Sequence, residues 1–148
     1  MADNWGAMLG VQVAGQNWLV DTADIAEALP PPPLTPVPLV QPWLLGVANV
    51  RGKLYCVTDF ATWLRVGTAT GEYGNRVLVL ADRDAHAALL VDRVLGLREV
   101  EGWAQSEAEG QVWYCDEQGA VWRKLDVPAL LEQPAFLQVG IEDAEAAE

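Results

Sequence analysis

The sequence predicts an all-β protein made of two small barrels, with two or three short helices. About nine or ten apolar runs of strand length are separated by turn residues at regular spacing. Of the 148 residues, 51% are apolar, which is enough for the core of one domain or of two small subdomains. An aspartate-capped helical turn recurs at Asp59-Phe60 and Asp126-Val127, each after a hairpin and a strand pair. This weak repeat favours two barrels.

The first elements are a hairpin and a short helix. Residues 5–13 and 18–20 have the apolar content of strands, and a glycine-containing turn separates them. An Asp-Thr pair then gives a helix N-cap signal, so residues 23–29 predict a short helix. In this helix Ile25, Ala28 and Leu29 would share one face, and Glu27 would point elsewhere.

A proline cluster follows the predicted helix. Five prolines lie within residues 30–36. Proline cannot donate to a strand ladder, so this segment predicts an extended connector or a sheet edge. A ligand for a proline-binding adaptor domain is the alternative.

The central hairpin organises the chain. Residues 44–60 predict two strands joined by a tight turn at Arg51 and Gly52. Gly52 supplies the positive φ that a short hairpin loop needs. Arg51 places a guanidinium between two apolar strands, as a clamp or as a docking point. An ion pair with Glu27 would tie the first helix to the hairpin.

The second half continues the β pattern. Residues 60–64 predict a helical turn, 65–75 an exposed loop, and 101–110 a polar loop. The predicted strands are 76–81, 87–91, 92–100 with a bend near Gly96, 111–115 and 120–125, and a final helix covers 127–132.

The sequence contains no convincing set of catalytic or metal-binding residues. Cys56 and the single histidine, His86, would make a nucleophile and base only if they meet, and a buried strand cysteine beside a turn histidine is the simpler interpretation. Asp82, Asp84 and Asp92 would suit a cation, but turn acids are usually solvated. We predict no catalytic residue, no metal and no cofactor.

Charge and composition exclude some classes of binding partner. The net charge is −12, and residues 142–148 form an acidic tail. A basic face is absent, which argues against nucleic acid and against an anionic membrane surface. Two cysteines are too few for a disulfide framework. No signal peptide or membrane-spanning run is visible, so we expect a cytoplasmic protein without direct membrane insertion.

Seven tryptophans need an explanation as core, interface or ligand platform. Three lie on predicted strands and are expected in the core: Trp18, Trp113 and Trp122. Three lie at loop ends, where partial exposure suits a protein interface or a sugar site: Trp43, Trp63 and Trp103.

Four motifs in order resemble those of CheW-like adaptor domains. They are residues 46–52 with 57–60 (GVANVRG and VTDF), 89–94 (LLVDRV), 25–27 (IAE) and 125–131 (LDVPALL). The order and spacing of the motifs agree over residues 6–133. Within the family, the motif sequences are most similar to those of the member that serves type IV pilus chemosensory systems.

The resemblance implies two five-stranded SH3-like β-barrels that share a hydrophobic core. The domain would span residues 5–141, followed by the tail. The first barrel would comprise mainly residues 14–75. The second would comprise mainly residues 76–140 together with the N-terminal strand.

The implied function is a non-enzymatic adaptor. It would couple the cytoplasmic tip of a methyl-accepting chemoreceptor to the regulatory domain of a CheA-type histidine kinase, at polar, membrane-associated arrays that control twitching motility. Three alternatives remain: flagellar chemotaxis, an unrelated β module that binds peptide or sugar, and a small cysteine enzyme.

Carried over by motif, the receptor groove would contain Ile25, Gly46, Ala88 and Leu97. The Glu27–Arg51 pair would lie near its rim, with Gly52 in the turn. The chain departs from the family pattern at Cys56, where proline is usual, at Ala88, where glycine is usual, and at Arg93.

Overall fold

Eleven strands in two sheets make up most of the structure, a computed structural model that describes residues 7–38, 41–68, 74–82 and 84–137. The acidic tail, Trp5 and part of the predicted 65–75 loop lie outside these ranges. The strands are β1 Ala7–Val13, β2 Gln16–Asp21, β3 Ile25–Leu29, β4 Leu44–Val50, β5 Lys53–Asp59, β6 Arg76–Leu80, β7 Ala87–Val91, β8 Arg93–Glu99, β9 Ala104–Ala108, β10 Gln111–Cys115 and β11 Val121–Leu125. The helices are α1 Phe60–Leu64, α2 Val127–Leu131 and α3 Pro134–Leu137, with a 3-10 turn at Thr22–Asp24.

The two sheets confirm the all-β prediction. They divide the chain differently from the two predicted barrels. One sheet has six strands in the order β8-β1-β2-β11-β10-β9, and the other has five in the order β3-β6-β7-β5-β4. The predicted boundary at residue 75 does not follow these sheets. Strand β2 belongs to the six-stranded sheet and strands β6 and β7 to the five-stranded one, because parallel pairs β5–β7 and β2–β11 join distant parts of the chain.

Buried side chains form three apolar layers. The shared core between the sheets contains Val11, Val13, Trp18, Val20, Phe60, Leu78, Leu80, Leu89, Val91 and Leu125. The interior of the five-stranded barrel contains Ala48, Val50, Val57, Val77, Val79, Ala88 and Leu90. The interior of the six-stranded sheet contains Leu19, Val100, Tyr114 and Trp122. Successive residues of β6 and β7 therefore alternate between two cores, which explains their continuous apolar sequence.

The predicted helix at 23–29 is wrong. Only the 3-10 turn Thr22–Asp24 forms, capped by Asp21 Oδ1, which accepts the Ala23 N–H at 2.9 Å. The remainder is strand β3, antiparallel to β6. Its half-buried residues alternate with exposed alanines, a period of two that the alanine content obscured. Pairing with β6 overrides the local helix preference.

The polar loop predicted at 101–110 is also corrected. Residues 104–108 form strand β9, paired antiparallel with β10, although every residue of β9 is exposed. A strand without a buried face shows no hydrophobic alternation, so the sequence pattern could not reveal it.

Both aspartate caps are confirmed. Asp59 Oδ1 accepts the backbone N–H groups of Ala61 and Thr62 at 3.1 and 3.4 Å. Asp126 Oδ1 accepts the Ala129 N–H at 3.0 Å. Each cap satisfies N–H groups that the first turn of a helix leaves unpaired.

Residues 30–38, which we call the proline strap, lie along the outer edge of β4. The N–H of Thr35 donates to Val47 O and the N–H of Val47 donates to Thr35 O, both at 2.9 Å. Leu34 packs against the interior of the five-stranded barrel. The segment is therefore the edge connector that the prolines predicted. Its Leu34 and Thr35 are engaged by the fold, which disfavours the proline-ligand alternative.

Candidate partner-binding face

The turn between β4 and β5 is the tight turn that the sequence predicts at Arg51 and Gly52. Both Arg51 and Gly52 have positive φ, 53° and 86°, as a two-residue hairpin turn of type I′ requires. Asn49 Oδ1 accepts the Gly52 N–H at 2.9 Å and stabilises the turn. A left-handed conformation is unfavourable for arginine, so local backbone preference does not explain an arginine at this position.

The Arg51 side chain contacts Glu27. Arg51 Nη1 donates to Glu27 Oε2, and the two side chains are 71% and 27% exposed. Glu27 lies on β3 and Arg51 follows β4, the two edge strands of the five-stranded sheet. The ion pair therefore links the two edges of this sheet. Because it is exposed, its contribution to stability is only about 0–1 kcal/mol.

Two of the four predicted groove residues are covered by the fold. Ala88 is fully buried inside the five-stranded barrel. Gly46 is buried beneath the proline strap, and a Cβ atom there would lie 2.6 Å from Thr35 O. Both lie in one cross-strand row with Val57 between them. Both are inaccessible to a partner in this arrangement of barrel and strap, so the groove stays a prediction that burial disfavours at these two positions.

The other two predicted groove residues lie on edge strands. Ile25 begins β3, is half-buried and packs against the shared core. Leu97 is 68% exposed on β8. Its cross-strand partner Leu9 also packs against the shared core. The edges of the two sheets thus border the same apolar layer, and Leu97 leaves an exposed apolar side chain there.

Cys56 and His86 do not form a nucleophile–base pair. Burial raises the pKa of the Cys56 thiol, which disfavours the thiolate. The Cys56 N–H donates to His86 O at 2.9 Å, but the imidazole is engaged elsewhere. Its Nδ1 lies 3.1 Å from Leu54 O, and the ring stacks on Tyr55 with centroids 5.6 Å apart. The geometry disfavours the cysteine-enzyme alternative.

Two of the three aspartates considered for a cation accept backbone hydrogen bonds with their carboxylates. Asp82 Oδ1 accepts N–H groups from Asp84 and Ala85, and Asp92 Oδ2 accepts the Ala14 N–H at 2.8 Å. In the part of the chain that the structure describes, no group of three or more potential metal ligands occurs.

Among the described tryptophans, four pack in two pairs. Trp43 and Trp63 meet edge to face with centroids 4.9 Å apart, and Trp103 lies 5.7 Å from Trp122. Trp18 and Trp122 are buried as predicted, whereas Trp113 is half-buried. This internal packing disfavours a tryptophan platform for sugar binding.

Arg123 and Asp116 make polar contacts with three of the tryptophans. The Arg123 guanidinium lies over the rings of Trp113 and Trp18, at 4.5 and 5.5 Å. The Trp122 indole N–H donates to Asp116 Oδ2 at 3.1 Å, and this hydrogen bond is the main cause that lowers the pKa of the Asp116 carboxyl.

Two features of the face escaped the sequence analysis. The positive φ of Arg51 carried no signal, because arginine has no preference for that region. The strap above Gly46 did have a sequence signal, because a glycine inside an apolar strand often marks close approach of another backbone.

Comparisons with known proteins agree on one family. The family model described as CheW-like domain matches residues 7–135. The chain is 33% identical to Protein PilI of Pseudomonas aeruginosa over 90 residues, 61% of this chain and 51% of that protein. It is 29% identical to Chemotaxis protein CheW of Thermotoga maritima over 94 residues, 63% of this chain and 61% of that protein. The chain thus matches about half to three fifths of the length of these relatives.

A solved structure supports the fold. The crystal structure of the scaffolding protein TtCheW from Thermoanaerobacter tengcongensis matches with a TM-score of 0.70 over 82% of this chain and 88% of that one. The sequences are 15% identical, so this likeness concerns the fold. Among the described residues, no helix has the length and apolar character that crossing a membrane requires.

Proposed function

Because the chain belongs to the CheW-like domain family, we propose that it is a non-enzymatic adaptor that couples a chemoreceptor to a CheA-type histidine kinase. One partner is the helical-hairpin tip of a methyl-accepting receptor. The other is the regulatory domain of the kinase. The similarity to Protein PilI supports a pilus pathway that controls twitching motility, with the adaptor in the cytoplasm at polar, membrane-associated receptor arrays.

The observation that carries this proposal is the exposed Leu97 on an edge strand that borders the shared core. An amphipathic helix binds by placing its apolar side chains in such a strip, and backbone rigidity on both sides keeps the strip in place. Ile25, at the start of edge strand β3 of the other sheet, packs against the same core, and the Arg51–Glu27 pair offers polar groups at the middle of β3.

Coupling of receptor to kinase then follows from differential affinity. The adaptor makes no covalent change in either partner. It transmits a receptor state only if its contacts are stronger in one state of the receptor–kinase assembly than in the other. A β scaffold with a shared core suits this role, because a packed core resists local deformation.

The central test measures binding of a receptor-tip hairpin by calorimetry to the intact chain and to Leu97→Asp. We expect the charge to weaken binding by about tenfold or more, since a carboxylate would be desolvated at an apolar contact. Leu54→Asp is the matched control, because Leu54 is a similarly exposed strand leucine, at 59%, on β5. It should change receptor affinity less than about twofold.

Two results would contradict the proposal. One is a folded sample that binds neither the receptor tip nor the kinase regulatory domain. The other is an equal loss of receptor affinity in both leucine variants. Leu97→Asp is a cleaner probe than Ile25→Asp, because Ile25 packs against the shared core and a charge there would also lower stability.

Flagellar chemotaxis is the second candidate output, favoured by the similarity to Chemotaxis protein CheW. Deletion of the coding sequence in the source organism distinguishes the two. Loss of surface twitching with normal swimming supports the pilus pathway, and loss of chemotactic swimming supports the flagellar one.

A further inference from the structure

The four sheet edges are protected to very different degrees. Exposed edges invite pairing with other strands, and proteins block them with prolines, bulges or charges. The β4 edge is covered by the proline strap. The β8 edge is interrupted at Gly96, whose φ is +96°, opposite a register shift in β1. The β3 edge carries the central charge of Glu27 and its own register shift.

Within the described residues, the β9 edge has no covering segment, proline or bulge, and its one charged residue, Glu107, lies off the centre of the strand. In the described part of the chain, no strand pairs with the outer side of β9, and all of its residues are exposed. It contains no proline, glycine or lysine and pairs with β10 in unbroken register. Within the described ranges, this edge is thus an unpaired row of backbone donors and acceptors.

The sequence of β9 is self-complementary in an antiparallel pair. A two-fold axis through Ser106 places Ser106 opposite its own copy, Ala104 opposite Ala108, and Gln105 opposite Glu107. The amide of Gln105 can donate to the carboxylate of Glu107 on both sides of the axis. Strand β3 offers a contrast, because the same operation would place Glu27 opposite Glu27.

We propose that β9 pairs with β9 of a second copy, so that two six-stranded sheets join into one across a two-fold axis. The small side chains of Ala104 and Ala108 let the two copies approach without steric conflict. They also border an apolar surface beside half-buried Trp113 and exposed Val121, around a shallow cavity of about 450 Å³. Pairing brings the two apolar surfaces side by side.

The dimer is weak and is strengthened by salt. Five residues, three of them with small side chains, form an interface below the size of stable complexes, so we expect a Kd on the order of 100 µM. Each copy carries a net charge of −12, and this repulsion is screened as ionic strength rises. The dimer uses neither Arg51 nor Leu97, so it goes beyond the proposed function and leaves the partner-binding face free.

The test is sedimentation equilibrium of the full chain from about 10 to about 500 µM, at low and high salt. Gln105→Lys should tighten dimerisation by about tenfold or more, because it creates two Lys–Glu cross-strand pairs. Gln105→Glu should weaken it by about the same factor, because it opposes two carboxylates to Glu107. Matched controls are Gln118→Lys and Gln118→Glu, which change the net charge equally at an exposed turn between β10 and β11.

Cross-linking tests the register independently. Under mild oxidation Ser106→Cys should give a disulfide-linked dimer, because this position faces itself across the axis. Glu107→Cys should give far less, because it faces Gln105 of the second copy. Native Cys56 and Cys115 are retained in all samples, and the unmodified chain sets the background.

Three outcomes would overturn the proposal. The first is a monomer throughout, for the native chain and for Gln105→Lys alike, which would leave the β9 edge to a strand of a different protein. The second is an equal response to Gln105 and Gln118 substitutions, which would indicate net charge alone. The third is equal cross-linking at 106 and 107. None of these results bears on receptor binding, so the proposed function is tested separately.

Discussion

At the scale of single residues, Arg51 combines an unfavourable backbone conformation with an exposed ion pair. Its φ of 53° costs about 1 kcal/mol relative to a residue that tolerates the left-handed region. Its exposed ion pair with Glu27 returns about 0–1 kcal/mol. The two effects nearly cancel, so folding stability by itself gives little reason for arginine here. A role of the guanidinium toward a partner gives one.

We therefore predict that Arg51→Gly leaves the free energy of unfolding within about 1 kcal/mol of the native value, because glycine removes the strain as it removes the ion pair. Arg51→Ala, which loses the ion pair and keeps the strain, should be less stable than Arg51→Gly by about 1 kcal/mol. Urea denaturation measures both. A loss above about 2 kcal/mol in Arg51→Gly would instead make Arg51 a structural clamp.

The proline strap shows how an irregular segment becomes part of a sheet at the scale of elements. Its hold on β4 consists of the paired Thr35 and Val47 groups and the packing of Leu34. Gly46 permits this approach, because any side chain there would meet the Thr35 carbonyl. The strap thus closes an edge that would otherwise resemble β9.

We predict that Gly46→Ala lowers the free energy of unfolding by about 3 kcal/mol, from backbone strain at φ +154° and from overpacking against Thr35. Gly15→Ala is the matched control, since Gly15 also has positive φ, +79°, but a Cβ there meets nothing within 4 Å. It should cost only about 1 kcal/mol. Equal losses in the two variants would mean that the strap yields freely.

The shared core makes the two barrels one cooperative unit at the scale of the whole molecule. Leu89 on β7 and Val11 on β1 belong to different sheets and pack in the same layer. Side chains of β6 and β7 alternate between the shared core and the interior of the five-stranded barrel. Neither sheet can therefore bury all of its apolar side chains without the other. Both sheets should therefore unfold together.

We predict that Leu89→Ala lowers stability by about 3 kcal/mol and keeps a single transition. Tryptophan fluorescence and far-ultraviolet circular dichroism should report the same midpoint in urea. Val121→Ala, at an exposed strand position, should change stability by less than about 0.5 kcal/mol. Separate midpoints for the two probes in Leu89→Ala would contradict a single unit.

The sequence by itself determined the β class, most strands, both aspartate caps, the Arg51-Gly52 turn and the family motifs. These features depend on rules that act within a few residues: period-two alternation, capping and turn chemistry. The tertiary structure alone decided that residues 25–29 form a strand, that β9 exists, and that Ala88 and Gly46 are covered. Each of these depends on pairing with a segment remote in sequence, and no local pattern specifies which remote segment a strand will meet.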